Sequence, residues 1–133
     1  MSEQDVELAR RGLKALNREG VDAIVGLCDP EVEWIAIPGF LPDAEDFHGR
    51  EGVRAWFGKL GETFGEVSWE AEEITDAGEC LLVALKLSAV GRASGIPGEF
   101  RIFQAWKMRN GKLVRLESYL SRGDALQAAG IAE

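Results

Sequence analysis

Gly65 separates two hydrophobic periodicities, and no all-helical or all-strand fold accommodates both. Before it, apolar residues recur every three or four positions. Val6, Ala9, Leu13 and Leu16 mark one face of an amphipathic helix reaching about Arg18, with Ser2 or Asp5 to cap its start and Gly20 to end it. Val21, Ile24, Val25 and Leu27 outline a second short helix, stopped by Asp29-Pro30. Val32 to Ile37 reads as a short strand centred on Trp34, and Gly39 to Gly49 reads as loop. A third helix carries Val53, Trp56, Phe57, Leu60 and Phe64 on one face. Gly52, Gly58 and Gly61 each weaken it by roughly 1 kcal/mol relative to Ala, so its stability must come from burying those side chains.

After Gly65 the pattern alternates. Val67, Trp69 and Ala71 interleave with Ser68, Glu70 and Glu72, as in a half-exposed strand. Asp76-Ala77-Gly78 is a turn, Cys80 to Val90 a long strand, and Arg92 to Gly98 a wide hairpin tip. Phe100 to Met108 and Leu113 to Leu120 are two further strands joined at Arg109-Asn110-Gly111, and Leu126 to Ile131 suits a terminal helical turn. The expectation is a single α+β domain over residues 1–133.

Charge narrows the partners. Residues 1–66 carry seven basic and fourteen acidic side chains, within a net charge of −8 for the whole chain. Phosphate backbones are repelled by such a surface, and the basic residues form no stripe, so nucleic-acid binding is not expected. The longest apolar run, Cys80 to Leu85, is far short of the ~18 residues of a membrane span, and Ser2-Glu3-Gln4-Asp5 is too polar for a secretory leader. Cys28 and Cys80 lack metal or redox spacing and read as buried thiols of a cytoplasmic protein.

The last hairpin has two possible registers. A two-residue Asn-Gly turn pairs Arg109 with Lys112 and places Trp106 and Gln104 on one face with Arg115 and Glu117. A three-residue loop, with Gly111 as a left-handed bulge residue, pairs Met108 with Lys112. It gathers Phe100, Ile102, Gln104, Trp106 and Met108 with Val114, Leu116, Ser118 and Leu120. The second register is adopted because it collects the apolar side chains. On that face Gln104 lies opposite Leu116, with Ser118 a diagonal neighbour. A buried amide needs partners: Gln104 and Ser118 either satisfy each other or orient a ligand in an apolar pocket. Trp34, Phe40, Phe57 and Trp106 suit the walls of such a pocket, though they would equally suit a solid core.

His48 is the only histidine, between Phe47 and Gly49. Its functional reading is a general acid or base at a pocket mouth; the alternative is a surface residue at the start of a helix. One histidine with no paired cysteines supports no metal site, and no cofactor fingerprint, phosphate loop or Gly-x-Ser-x-Gly elbow occurs. Glu70, Glu72 and Glu73 read as a solvated strand face, and Glu33 and Glu117 lie on faces opposite the core.

The run Val21-Asp22-Ala23-Ile24-Val25 into Asp29-Pro30-Glu31-Val32-Glu33-Trp34, then His48-Gly49-Arg50-Glu51-Gly52-Val53 before Trp56-Phe57, and Arg109-Asn110-Gly111-Lys112-Leu113-Val114, resembles the SnoaL-like branch of the nuclear transport factor 2-like superfamily over nearly the whole chain. That resemblance implies a curved mixed sheet wrapped around N-terminal helices to form a conical pocket, and pairing of chains through the sheet. It also implies that Trp34, Phe57, Gln104, Leu116, Ser118 and Leu120 line the pocket with His48 near its rim. Polyketide cyclases and relatives of ketosteroid isomerase belong to this branch. The isomerase-like proton-shuttling carboxylate falls on Trp34, the oxyanion-hole acid on Gln104 and the first-helix tyrosine near Gly12 or Leu13, so that route of isomerisation is not expected.

Three functions follow as expectations. The first is binding of a hydrophobic cyclic or carbonyl-bearing small molecule by Trp34, Phe40, Phe57, Gln104, Leu116, Ser118 and Leu120. In the second, a lyase, cyclase, isomerase or hydrolase acts on a similar molecule, with His48 as proton carrier. The third is an interaction module, in which Phe103, Ala105, Leu82 and Ala84 on the outer sheet face are covered by a second copy. A pocket filled by side chains would favour this third reading.

Overall fold

The computed structural model describes residues 3–37 and 46–128. Helices α1 (Glu3–Glu19) and α2 (Asp22–Leu27) lead into β1 (Cys28–Ile35). Next come β2 (Phe47–His48), α3 (Gly49–Thr63), β3 (Phe64–Asp76), β4 (Leu81–Gly91), β5 (Pro97–Arg109), β6 (Lys112–Tyr119) and α4 (Arg122–Ala128). The strands form one open six-stranded sheet in the order β2-β1-β6-β5-β4-β3, mixed because β1 and β6 run parallel while every other neighbour is antiparallel. No described helix is long and apolar enough to cross a membrane.

Several element boundaries differ from the sequence expectation: Phe64 opens β3 instead of closing α3, and β5 begins at Pro97, inside the expected hairpin tip. Strand β1 starts at Cys28, so Asp29-Pro30 lies inside it. Pro30 falls where the β1–β6 register is interrupted between Cys28 and Glu33, a place where a missing N–H breaks no ladder bond. Within the expected loop, Phe47 and His48 pair with Trp34 and Glu33; two residues are too few to show a period. The terminal helix begins at Arg122, four residues before the expected turn at Leu126, and residues 129–131 of that turn lie outside the described residues.

The β5–β6 turn corrects the adopted register. Arg109 pairs with Lys112, and Asn110 (φ 52°) and Gly111 (φ 75°) form the two-residue loop that a left-handed Asn-Gly pair favours. Met108 then faces Leu113, but Lys107 faces Arg115, so Val114 is an extra residue bulged out of β6. This bulge restores the side-chain parity that the three-residue loop had been invoked to supply. Gln104 pairs directly with Ser118 and Trp106 with Leu116, all on the inner face. A second bulge, at Glu72, turns Glu73 to the outer face and Ile74 inward.

Helices α1, α2 and α3 pack on the inner face through Ala9, Leu13, Leu16, Ile24, Val53, Trp56 and Leu60, meeting Leu81, Val83, Leu85, Leu87, Ile102 and Trp106 of the sheet. Two polar grips hold the helices there. Arg50 donates from Nε and Nη2 to the Cys28 carbonyl at 3.1 and 2.9 Å, and Lys112 donates to the Gly26 carbonyl at 3.0 Å. Gly52 lets α3 approach β2, since a Cβ there would stand 3.0 Å from that of Phe47.

On the outer face α4 lies across β5 and β6, with Ala125 fully buried and Arg122 bonded to both Glu73 oxygens at 3.0 and 2.9 Å. Leu82, Ala84 and Ala105 are buried within the single chain and Phe103 is half-buried. Of the four residues expected to need a second copy as cover, only Phe103 is thus left partly open. Glu70, Glu72 and Glu73 pair with Lys86, Arg101 and Arg122. Beside α4, Glu117 accepts hydrogen bonds from Tyr119 and Arg115, and Arg115 also pairs with Glu33. Burial pushes the Glu117 carboxyl up, but the hydrogen bonds from Tyr119 and Arg115 and the Arg115 charge together hold it below its ordinary value. Burial, with the bond to Glu117, pushes the Tyr119 hydroxyl up to about 12.

Two outcomes are expected. Gly111→Ala places a Cβ at a positive φ and should cost about 1 kcal/mol in denaturant unfolding; an unchanged midpoint would mean that the turn is not under this constraint. For Glu117, a folded-state pKa below the unfolded value of about 4.3 stabilises the fold above that pH, and the contribution is lost as pH falls through the folded value. Urea unfolding between about pH 7 and 3 should show a steeper acid loss in the wild type than in Glu117→Gln. Parallel curves would mean that the carboxylate adds nothing.

Candidate functional site

The inner face of the sheet and the three helices that cover it enclose an aromatic chamber. Its walls are Leu13 and Leu16 from α1, Ile24 from α2, Trp34 from β1, Trp56 and Phe57 from α3, and Trp69, Leu85, Gln104, Trp106 and Leu116 from β3 to β6. All four tryptophans of the protein are among them. Local sequence places each one: Trp56 occupies the apolar helical stripe of α3, and Trp34, Trp69 and Trp106 occupy alternating inward positions of their strands.

The rings pack against one another. Trp56 and Phe57 meet edge to face at 4.9 Å, Trp34 lies 5.7 Å from Trp56 and 5.8 Å from Phe57, and Trp69 lies 6.2 Å from Phe57. These side chains occupy nearly all of the expected conical pocket. The remaining cavity is about 10 Å³, no more than one water molecule requires. The sequence expectation of a hollow interior is corrected here: the aromatic side chains from α3 and β3 meet across it.

Among the described residues of those walls, Gln104 and the indole N–H groups are the polar side-chain groups. Gln104 is 5% exposed, accepts a hydrogen bond from Trp106 Nε1 at 2.7 Å and donates one to Ser118 Oγ at 3.1 Å. The indole can only donate, so Oε1 is committed to Trp106 and the amide nitrogen is left to donate. One of its two hydrogens goes to Ser118; the second has no acceptor among the described residues. No lining side chain among the described residues is ionisable.

The structure sorts the other candidates. Trp34, Phe57, Gln104 and Leu116 come together in the walls, and Ser118 stands behind Gln104 as its acceptor. Leu120 lies beyond the end of β6 and is 56% exposed, so it lines nothing: the strand ends at Tyr119 and the face it was to share ends with it. Phe40 lies outside the described residues. His48 is exposed at the edge of the sheet, with Nε2 3.1 Å from the Glu31 carboxylate, and does not reach the chamber. Glu31 holds it because β2 lies beside β1 and both side chains project to solvent.

Cys28 is fully buried, and burial pushes its thiol up to about 11 against the opposing charges of Arg50 and Lys112. Cys80, expected to be buried, is only partly so. Both thiols are free. Leu13, Leu16, Ile24, Trp56, Trp69 and Leu85 are wall residues that the sequence placed on hydrophobic elements without marking them as lining. Their positions on apolar faces were legible, but no local signal says which core residues border a cavity.

Two grooves open on the other side of this wall. One, of about 390 Å³, is lined by Leu16, Asn17, Gly20, Val21, Arg54, Phe57, Gly58, Val67 and Trp69. The other, of about 270 Å³, runs past Leu13, Asn17 and Trp69. Asn17 fastens Trp69 between them. It donates to the Trp69 carbonyl at 2.7 Å and accepts from the Trp69 N–H at 2.8 Å, standing in for a neighbouring strand at the edge of the sheet.

Comparison with known proteins places this architecture. The SnoaL-like domain family matches residues 9–116. No curated protein matches the chain. Among solved structures, an NTF2-like protein of unknown function from Burkholderia pseudomallei aligns with a TM-score of 0.77 at 19% identity, covering 96% of this chain and 97% of its own. TerC, co-crystallised with polyporic acid, aligns at 0.78 and 17% identity over 96% and 98% of the two chains. A protein from Jannaschia sp. CCS1 named for the SnoaL-like polyketide cyclases aligns at 0.73 and 17% over 98% and 94%. At these identities the likeness is one of fold.

Proposed function

The chain belongs to the SnoaL-like domain family, and on that premise we propose that it binds a small, flat, hydrophobic molecule bearing a carbonyl oxygen, in the aromatic chamber. One observation carries this reading. A single amide, fixed by Trp106 and Ser118, lies in a wall whose other described side chains are hydrocarbon and indole. Such walls favour planar apolar ligands through contact area, and one donor selects an acceptor atom on them. TerC, which shares this fold and was co-crystallised with polyporic acid, supports a small-molecule ligand here.

A cavity of about 10 Å³ admits no organic molecule, so binding requires wall side chains to move aside. The filled interior would by itself favour the interaction reading. That reading needs an uncovered apolar sheet face, and Leu82, Ala84 and Ala105 are buried within the chain. Binding is also favoured over acid–base turnover: the described walls carry no ionisable group, and His48 stands outside them.

The four wall tryptophans make their fluorescence a direct reporter of occupancy. Titration with 9-fluorenone, a flat uncharged ketone, should quench it saturably. Gln104→Leu should weaken that binding by about 1–2 kcal/mol, the worth of one buried hydrogen bond to the carbonyl, whereas His48→Ala should leave it unchanged. An affinity unaltered in Gln104→Leu, with the fold intact by circular dichroism, would remove the amide from the site.

A further inference from the structure

The chamber and the 390 Å³ groove have three lining residues in common, Leu16, Phe57 and Trp69, which together form the partition between them. These three differ in how they are held. Leu16 and Trp69 are buried at 8% and 7% exposure, and the main chain of Trp69 is fastened on both its N–H and its C=O by Asn17. Phe57 is only half-buried, its described contacts are ring against ring, and its neighbour Gly58 faces open space, where an added Cβ would meet nothing within 4 Å. Phe57 can therefore leave the partition without breaking a hydrogen bond and with room to move into.

We propose that Phe57 is the gate of the binding site and that the groove beyond it is the second half of that site. The ligand then spans both, with its carbonyl at Gln104 and its far end between Asn17 and Gly58. This inference rests on the ligand-binding reading above and extends it to the ligand's size and charge. The one cation in the described lining of the groove, Arg54, is paired with Asp22 at 2.5 Å and Glu51 at 3.8 Å. With its charge offset by those two carboxylates, the described lining offers an anion no unpaired cation. The gated ligand is therefore not an anion, and it is longer than the inner chamber alone could hold.

The gate can be tested without any ligand. Acrylamide, a neutral quencher, reaches the wall tryptophans through the partition, so Phe57→Ala should raise its bimolecular quenching constant by about threefold or more. Phe57→Leu should raise it less. Gly58→Leu, an exposed helical change that should not harm folding, fills the groove and should lower the stopped-flow association rate of 9-fluorenone by about threefold. Phe57→Ala should raise that rate. If Phe57→Ala fails to fold by circular dichroism, Phe57→Leu and Gly58→Leu carry the test.

A quenching constant unchanged in a folded Phe57 variant overturns the gate, as does an association rate unchanged in Gly58→Leu. A raised quenching constant with no 9-fluorenone binding to any variant keeps the gate and overturns the ligand-binding reading on which the second half of the site depends. Fluorenone-4-carboxylate binding as tightly as 9-fluorenone would overturn the exclusion of anions.

Discussion

Which side chains face the helices is decided along β5 and β6 by one surplus residue. The Asn110-Gly111 turn, taken alone, would set Gln104 opposite Glu117 and bring two charged residues of β6 onto the inner face. Val114, bulged out of the ladder, shifts the pairing so that Gln104 meets Ser118 and Trp106 meets Leu116. Because side chains alternate across a strand, this single displacement determines the chemical character of the entire inner face. It also brings the indole of Trp106, the amide of Gln104 and the hydroxyl of Ser118 into one buried hydrogen-bonded line. Without that alignment the amide would keep the bond from Trp106 on its own strand but lose Ser118 as acceptor, at a cost of about 1–3 kcal/mol.

The aromatic packing has two consequences. Rings from α3 and β3 give the helices their hold on the sheet, which compensates for an α3 carrying Gly52, Gly58 and Gly61. The same rings take up the volume that the fold would otherwise enclose. Stability and access are thus set by the same few side chains. Phe57 is the point where they separate, because it belongs to the wall while facing solvent on its other side. On the opposite face α4 lies across β5 and β6 and anchors itself through Arg122 to Glu73.

Much of the fold was legible because it rests on periodicity. The stripe of Ala9, Leu13 and Leu16, that of Val53, Trp56 and Leu60, and the alternation around Trp69 and along Phe100 to Met108 each report a face that must be buried. Two strand residues at Phe47–His48 were not, since a period needs more positions than that. Nor was the bulge at Val114. The three-residue loop and the two-residue turn with a bulge both leave Leu116 and Ser118 on the inner face, but the bulge puts Leu113 there in place of Val114.

For the site, the amino-acid order by itself determined that Gln104 and Ser118 share an apolar face with Trp106 and Leu116. Alternation along a strand is a local property that any correct parity reveals. Only the tertiary structure decided that the interior is filled, that His48 turns to Glu31 and solvent, and that Leu120 falls beyond the sheet. Whether space remains between a helix and a sheet depends on how far rings reach across it from residues distant along the chain. No local pattern records that distance.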